Sequence, residues 1–138
     1  MNAPDLQISD RVDDMSAPKI TVLVVDDDAL IAMCTVEMLE DLGHDVIEVN
    51  SGSRALDVLQ NGRPIDLLIT DYSMPKMNGA QLASAARELR PDLPILLATG
   101  YTELPSSAGV DLPCIAKPFR QEQLAVTITK VLAPPRPS

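Results

Sequence analysis

The chain alternates short, almost wholly apolar runs with longer segments of helical periodicity, and this alternation constrains the fold more than any other feature. Five runs have the length and composition of buried strands, at 19–25, 45–49, 65–70, 94–99 and 114–116. Strands that are apolar on both faces belong in a parallel sheet covered by helices on each side. We therefore predict a doubly wound α/β fold with right-handed crossover connections.

The segments between these runs predict the helices. Asp28 is a favourable N-terminal cap for the first helix, and Gly43 is suited to follow its last turn. Ser51 is the predicted cap of the second helix, in which Leu56 and Leu59 share one face. The predicted buried stripes are Ile31, Cys34, Met38 and Leu42 in the first helix, and Leu124, Ile128 and Val131 in the last.

The stretch "GYTELPSSAGVDLP" breaks the alternation between the fourth and fifth runs. Its prolines, glycines and adjacent serines are poor helix formers, so it predicts a short or mobile fourth helix.

The composition supports one domain between two short ends. The chain has 138 residues, of which 46% are hydrophobic, and this is enough for a single core. We predict a disordered lead-in at 1–18, a domain at 19–133 and a Pro-rich tail at 134–138. The start favours a stand-alone protein, and the end soon after the last helix leads us to expect no attached output domain.

The charge and the cysteines limit the environment and the partners. The net charge is −9 and no basic stripe is visible, which argues against direct binding to nucleic acid. No signal pattern and no run of membrane-spanning length is present, so we expect no membrane contact. Cys34 and Cys114 are not in metal-ligand spacing, and we predict two buried thiols in a reducing cytoplasm.

The stretch "LLITDYSMPKMNG", at 67–79, places a carboxylate at the tip of a buried strand. In an open parallel sheet, ligands bind beyond the carboxyl ends of the strands. Crowded carboxylates repel unless a cation lies between them, and oxygen ligands with room for water are what Mg²⁺ prefers, with Mn²⁺ as the alternative. The residues delivered to this edge are Asp26, Asp27 and Asp28 after the first strand, Asp71 after the third, Thr99 after the fourth and Lys117 after the fifth.

A metal ion and a lysine beside an aspartate would neutralise the charge of a phosphate group. Phosphoryl transfer needs little more than this neutralisation and an aligned nucleophile. Asp71 would then be the nucleophile and form an acyl phosphate. Thr99 could donate a hydrogen bond to a phosphoryl oxygen.

Four motifs, "VLVVDDD", "DYSMPKMNG", "LLATG" and "AKPF", resemble in order and spacing the receiver domains of two-component response regulators. The resemblance covers residues 19 to 133, and it fits either a stand-alone receiver or a receiver that belongs to a hybrid kinase. It implies a flavodoxin-like, CheY-like fold in which the five parallel strands have the order 2-1-3-4-5.

The resemblance also implies roles for the residues at the carboxyl edge. Asp71 is similar to the phosphoacceptor of the family. Asp27 would ligate Mg²⁺ directly, Asp26 would do so directly or through water, and the backbone carbonyl of Ser73 would complete the protein ligands.

Two further roles follow from the same resemblance. Lys117 would contact a carboxylate first and the phosphoryl group later, and its peptide bond to Pro118 is commonly cis in such domains. Thr99 is similar to the hydroxyl residue that moves toward the phosphoryl group.

Some positions depart from the family pattern or carry no predicted chemistry. Cys114 stands where many receivers carry an aromatic residue, and Tyr101 is a candidate substitute. We predict that His44, the only histidine, is exposed in a turn away from the cleft. Met74 and Met77 are predicted to pack the loop after the third strand.

The leading functional prediction is a signalling domain that takes a phosphoryl group from a histidine kinase or a histidine phosphotransfer protein. It would act by a conformational change on a downstream protein partner, and it would catalyse only its own phosphotransfer and dephosphorylation.

Two alternatives remain. The pattern Asp26-x-Asp28 is similar to that of haloacid-dehalogenase-like phosphatases, with Asp26 as nucleophile, although Leu30 stands where Thr or Val is expected and a cap domain has no room. A pseudo-receiver that only binds a partner is the other alternative. The intact acidic set, Thr99 and Lys117 argue against it.

Overall fold

The computed structural model of the chain describes residues 19–100 and 112–132. The predicted lead-in, the predicted tail, Tyr101 and most of the predicted fourth helix lie outside the described residues. Within the described ranges, no helix has the length and apolar character needed to cross a membrane.

The described strands form one five-stranded sheet. Every neighbouring pair is parallel, and the order is β2-β1-β3-β4-β5. The predicted fold and strand order are therefore confirmed, and the predicted strand boundaries differ from the observed ones by at most two residues. The strands are β1 (Thr21–Val25), β2 (Asp45–Val49), β3 (Leu67–Asp71), β4 (Ile95–Thr99) and β5 (Cys114–Ala116).

The helices begin at side-chain caps. The Asp28 carboxylate accepts hydrogen bonds from the backbone N–H groups of Leu30 and Ile31, and the Ser51 hydroxyl accepts one from Arg54. Asn78 and Gln81 form a reciprocal capping box at the third helix, which the prediction missed although the pair is readable in the sequence. The helices are α1 (Ala29–Asp41), α2 (Gly52–Gln60), α3 (Gly79–Leu89) and α4 (Gln121–Leu132).

Two apolar cores lie on opposite faces of the sheet. Alternate residues of β1 point to opposite faces, so Val22 and Val24 lie in the core beneath α1 and α4, while Leu23 and Val25 lie in the core beneath α2 and α3. This explains why the central strands are apolar at consecutive positions. Leu59, Leu124 and Ile128 are buried as predicted, and Leu56 and Val131 are partly buried.

The predicted buried stripe of α1 is wrong at Ile31 and Cys34 and confirmed in part at Met38 and Leu42, which are both half-buried. The buried residues are Ala32, Thr35 and Leu39, while Ile31 and Cys34 are exposed. Positions 30–34 are all apolar, so periodicity alone cannot choose between adjacent faces. Thr35 tolerates burial because its hydroxyl donates to the backbone oxygen of Ile31, at 3.1 Å.

The predicted burial of three side chains is also wrong, although His44 does lie in the turn between α1 and β2, away from the carboxyl ends of the strands. His44 is only 6% exposed, because its Nδ1 accepts a hydrogen bond from the backbone N–H of Ile20 at 3.3 Å. Cys34 and Cys114 are exposed free thiols rather than buried hydrophobes. Cys34 lies on the outer face of α1, and Cys114 lies on an edge strand of the sheet.

Candidate functional site

The strand order brings the predicted residues to one edge of the sheet. Asp26 directly follows β1, Asp71 ends β3, Thr99 ends β4 and Lys117 directly follows β5. Because all five strands are parallel, their carboxyl ends meet at this edge. The parallel topology thus makes neighbours of residues that lie far apart along the chain.

Three carboxylates form a cluster at this carboxyl edge. Asp26, Asp27 and Asp71 each offer a carboxylate oxygen, and these oxygens lie within 4.8 Å of one another. Asp26 and Asp71 are buried, whereas Asp27 is exposed, so the cluster is open to solvent on one side. A donor set made only of oxygen atoms fits Mg²⁺ or Mn²⁺ better than zinc or copper.

The surroundings of Asp26 disfavour its charge. Burial is the largest cause that raises the pKa of this carboxyl above its ordinary value, and the charge of Asp71 raises it further. The backbone N–H of Asp28 donates to Asp26 Oδ1 at 2.9 Å and lowers the pKa, as does the Lys117 ammonium. The net shift is upward, and a cation at the cluster would favour the charged form of Asp26.

Lys117 makes an ion pair with Asp71. Its Nζ lies 2.6 Å from Asp71 Oδ1, and both side chains are largely buried. The backbone of Lys117 is fixed by a hydrogen bond from its N–H to the oxygen of Thr99, at 2.7 Å. The Lys117–Pro118 peptide bond is cis, as the family resemblance implied.

Thr99 and Ser73 are each close in the structure or along the chain to one member of the ion pair. Thr99 is 6% exposed and pairs in register with Ala116, next to Lys117. Ser73 lies two residues beyond Asp71, in the loop between β3 and α3, and is exposed.

The loop between β3 and α3 returns tightly against its own strand. The N–H of Gly79 donates to the backbone oxygen of Tyr72 at 2.8 Å. A Cβ atom at position 79 would lie 2.6 Å from the backbone oxygen of Asp71 and 2.9 Å from Tyr72 Cα. Only glycine allows the two backbone segments to approach this closely.

An apolar surface next to the site was missed by the sequence prediction. Leu30 is 72% exposed and Met33 is 50% exposed, although both belong to α1. A groove of about 480 Å³ runs from this helix to Lys117. The sequence signal for this surface was the unbroken apolar run at 30–34, because five consecutive apolar residues cannot all lie on one buried face of a helix. Apolar side chains that line the groove are Leu30, Ile31, Cys34, Met38, Pro118 and Phe119.

Comparison with known proteins agrees with this fold. The family model described as the response regulator receiver domain matches residues 22–129, and the chain belongs to this family. Receiver domains are parts of two-component systems. They are signalling domains rather than classical enzymes, and they generally bind Mg²⁺ in an acidic pocket.

Individual relatives differ in how much of their length is matched. The response regulator receiver protein CpdR of Brucella abortus is 35% identical over 115 residues, covering 80% of this chain and 95% of CpdR. The sensor kinase CckA of the same organism is 34% identical over 119 residues, covering 81% of this chain but only 12% of CckA.

Solved structures show the same architecture. The crystal structure of a response regulator receiver protein from Sinorhizobium medicae has a TM-score of 0.75 and 34% identity. The match covers 83% of this chain and 94% of the chain in that structure.

Proposed function

We propose that Asp71 accepts a phosphoryl group from a histidine kinase or a histidine phosphotransfer protein, and that the domain then signals to a protein partner. The observation that carries this proposal is the position of the Asp71 carboxylate. It lies 2.6 Å from the Lys117 ammonium on one side and within 4.8 Å of the carboxylate oxygens of Asp26 and Asp27 on the other.

The metal would be held by the acidic cluster. Asp26, Asp27 and Asp71 would supply carboxylate oxygens, and Ser73 would supply its backbone carbonyl. When bound, Mg²⁺ or Mn²⁺ would neutralise the charge of the phosphate oxygens. The exposed position of Asp27 leaves that side of the cluster accessible to a donor.

The transfer itself needs one nucleophile and a good leaving group. A carboxylate oxygen of Asp71 attacks the phosphorus of a phosphohistidine, so an O–P bond forms while the P–N bond breaks. The electron pair of that bond stays on the imidazole nitrogen of the donor, which is left neutral or takes a proton from solvent. The product is an acyl phosphate on Asp71.

Lys117 and Thr99 would respond to the new charge. The Lys117 ammonium would exchange its contact with Asp71 Oδ1 for one with a phosphoryl oxygen. The Thr99 hydroxyl would donate to another phosphoryl oxygen. Because Thr99 O also accepts from the Lys117 N–H, a movement at one residue is transmitted to the other, and this supports a change in the surface that a partner reads.

The apolar groove between α1 and Phe119 supports action through protein partners. Its exposed Leu30, together with the exposed Met33 on the same helix, favours contact with an apolar surface of another protein, and the groove reaches Lys117. Two free thiols support a reducing, cytoplasmic location.

Intact-mass measurement after incubation with a small-molecule phosphodonor and Mg²⁺ tests the proposal. We expect one base-labile phosphoryl adduct, which is absent without metal and absent in Asp71→Asn. Asp57→Asn is a matched control, because Asp57 is an exposed aspartate on α2, and it should keep the adduct.

The same experiment separates the alternatives. An adduct that persists in Asp71→Asn but disappears in Asp26→Asn would identify Asp26 as the nucleophile and overturn the proposal. A wild-type chain that binds Mg²⁺ but forms no adduct with small phosphodonors or with phosphorylated histidine phosphotransfer proteins would favour a pseudo-receiver.

A further inference from the structure

The loop between β3 and α3 contains a strained turn five residues beyond Asp71. The N–H of Met77 donates to the backbone oxygen of Pro75 at 2.7 Å, which closes a three-residue turn around Lys76. Lys76 has a φ of 71°, in the left-handed region that a residue with a side chain rarely adopts. Turns of this kind are rare and strained, and they persist only where the surrounding structure fixes them.

Met77 is packed over a position that is open because it holds glycine. A Cβ atom at Gly52 would lie 2.6 Å from Met77 Sδ and 3.2 Å from Met77 Cγ. Gly52 is buried at the first position of α2, and Met77 also packs against the core beneath α2 and α3. The thioether of Met77 therefore occupies the space that a side chain at position 52 would take.

The strained turn is thus held on both sides. On one side, Met77 is seated on the start of α2. On the other, the close approach of Gly79 to Asp71 and Tyr72 fixes the end of the loop. Ser73 lies inside the segment that these two contacts restrain.

We propose that Met77, seated over Gly52, is a positioning residue for metal binding: it restrains the loop that carries Ser73, whose backbone carbonyl belongs to the proposed metal site. This inference rests on the proposed function, because it assigns Met77 to the same metal site. The physical reason is preorganisation, since a loop that is already ordered loses less conformational entropy when a ligand binds.

The dependence of phosphorylation rate on Mg²⁺ concentration tests this inference. Met77→Ala should raise the Mg²⁺ concentration at half-maximal rate about tenfold, the usual scale for groups that support a metal ligand, and leave the maximal rate close to wild type. Met77→Leu conserves volume and should stay within about twofold of wild type. Direct Mg²⁺ titration by calorimetry should show the same order.

The contact with Gly52 provides a second test that does not depend on Met77 alone. Gly52→Val should displace the thioether and raise the half-maximal Mg²⁺ concentration as Met77→Ala does. Gly52→Val combined with Met77→Ala should be no worse than either single change, because the contact is already lost. Ser53→Ala is the matched control, since Ser53 is the exposed neighbour of Gly52.

The outcomes separate this inference from the proposed function. If Met77→Ala lowers the unfolding midpoint but leaves Mg²⁺ affinity at the wild-type value, Met77 is only a packing residue and the inference is wrong. Fully additive effects of the two changes would also overturn it. If the wild-type chain binds Mg²⁺ but is never phosphorylated, the proposed function fails while calorimetry still decides the role of Met77. A wild-type chain that does not bind Mg²⁺ overturns both.

Discussion

The amino edge of the sheet uses titratable side chains to complete backbone hydrogen bonds. His44 Nδ1 accepts from the N–H of Ile20 at 3.3 Å, and Asp66 Oδ2 accepts from the N–H of Thr21 at 2.9 Å. Each of these side chains pairs a donor that would otherwise be left unpaired at the start of β1. The amino edge therefore gains stability from its polar groups.

The carboxyl edge uses similar side chains in the opposite way. Three carboxylates lie within 4.8 Å of one another, and burial raises the pKa of Asp26. Their charges repel one another, so a bound cation would stabilise this edge beyond what the Lys117 ammonium contributes. The comparison indicates that polar side chains stabilise the fold at one end of the strands and are arranged for the proposed metal site at the other, a division often seen at functional sites.

The largest expected effect is at the carboxyl edge, where Asp26→Asn should stabilise the protein without Mg²⁺ but weaken its stabilisation by Mg²⁺. Without Mg²⁺ the variant should be more stable than wild type by about 1 kcal/mol, because the buried charge is removed and the amide oxygen can still accept from Asp28. Its Mg²⁺ affinity should fall about 100-fold, or roughly 2.7 kcal/mol. Thermal unfolding with and without Mg²⁺ measures both. Equal stabilisation of the two proteins by Mg²⁺ would contradict the assignment of Asp26 to the metal site.

At the amino edge, His44→Ala should destabilise the fold in every buffer. The change leaves the Ile20 N–H unpaired and removes a buried ring, at a cost of about 2 kcal/mol. Urea unfolding measures it, and Mg²⁺ affinity of the folded variant should remain at the wild-type value. A loss of Mg²⁺ affinity would show that the two edges are coupled, and it would contradict the separate roles assigned to them.

His44 should also make stability depend on pH. Burial lowers the pKa of its imidazole below the ordinary value of 6.5, so the folded chain binds this proton less readily than the unfolded chain. The stabilisation is therefore complete above about pH 6.5 and is lost progressively as the pH falls toward the folded pKa. We expect wild type to lose more stability than His44→Gln between about pH 7.5 and 5.5. Urea titrations of the two proteins at several pH values check this. Equal slopes of the free energy of unfolding against pH would contradict the prediction.

The smallest expected effect is at an exposed pair on the amino edge. Lys19 Nζ lies 3.7 Å from Asp45 Oδ1, and the two side chains are 66% and 65% exposed. Such pairs contribute little, so Lys19→Ala should change the free energy of unfolding by less than about 0.5 kcal/mol. A larger loss in the same urea assay would mean that exposed charge, and not buried pairing, stabilises this edge.

The sequence was informative where one short segment decides the structure. The apolar runs predicted the sheet, and caps such as Asp28 and Ser51 placed the helix starts. The meeting of Asp26, Asp71 and Lys117 was also predictable, because parallel strands align their carboxyl ends.

The prediction errors arose where contacts with distant segments of the chain decide which side chains are buried. His44 is buried where its Nδ1 accepts a hydrogen bond from the N–H of Ile20, 24 residues earlier, and a local pattern does not reveal this partner. The buried face of α1 was ambiguous because five consecutive apolar positions fit more than one rotation of the helix. The 2.6 Å distance between Lys117 and Asp71 joins residues 46 positions apart and depends on the whole sheet.

The lengths and charges of the two outer strands also affect how this protein behaves at high concentration. Unpaired backbone groups on a sheet edge can add a strand from another molecule, which is a common route to aggregation. Here β5 has only three residues, and β2 carries exposed carboxylates at Asp45 and Glu48. A second copy of the chain would gain few hydrogen bonds along β5 and would meet like charge along β2. Both outer strands therefore discourage growth of the sheet into a polymer.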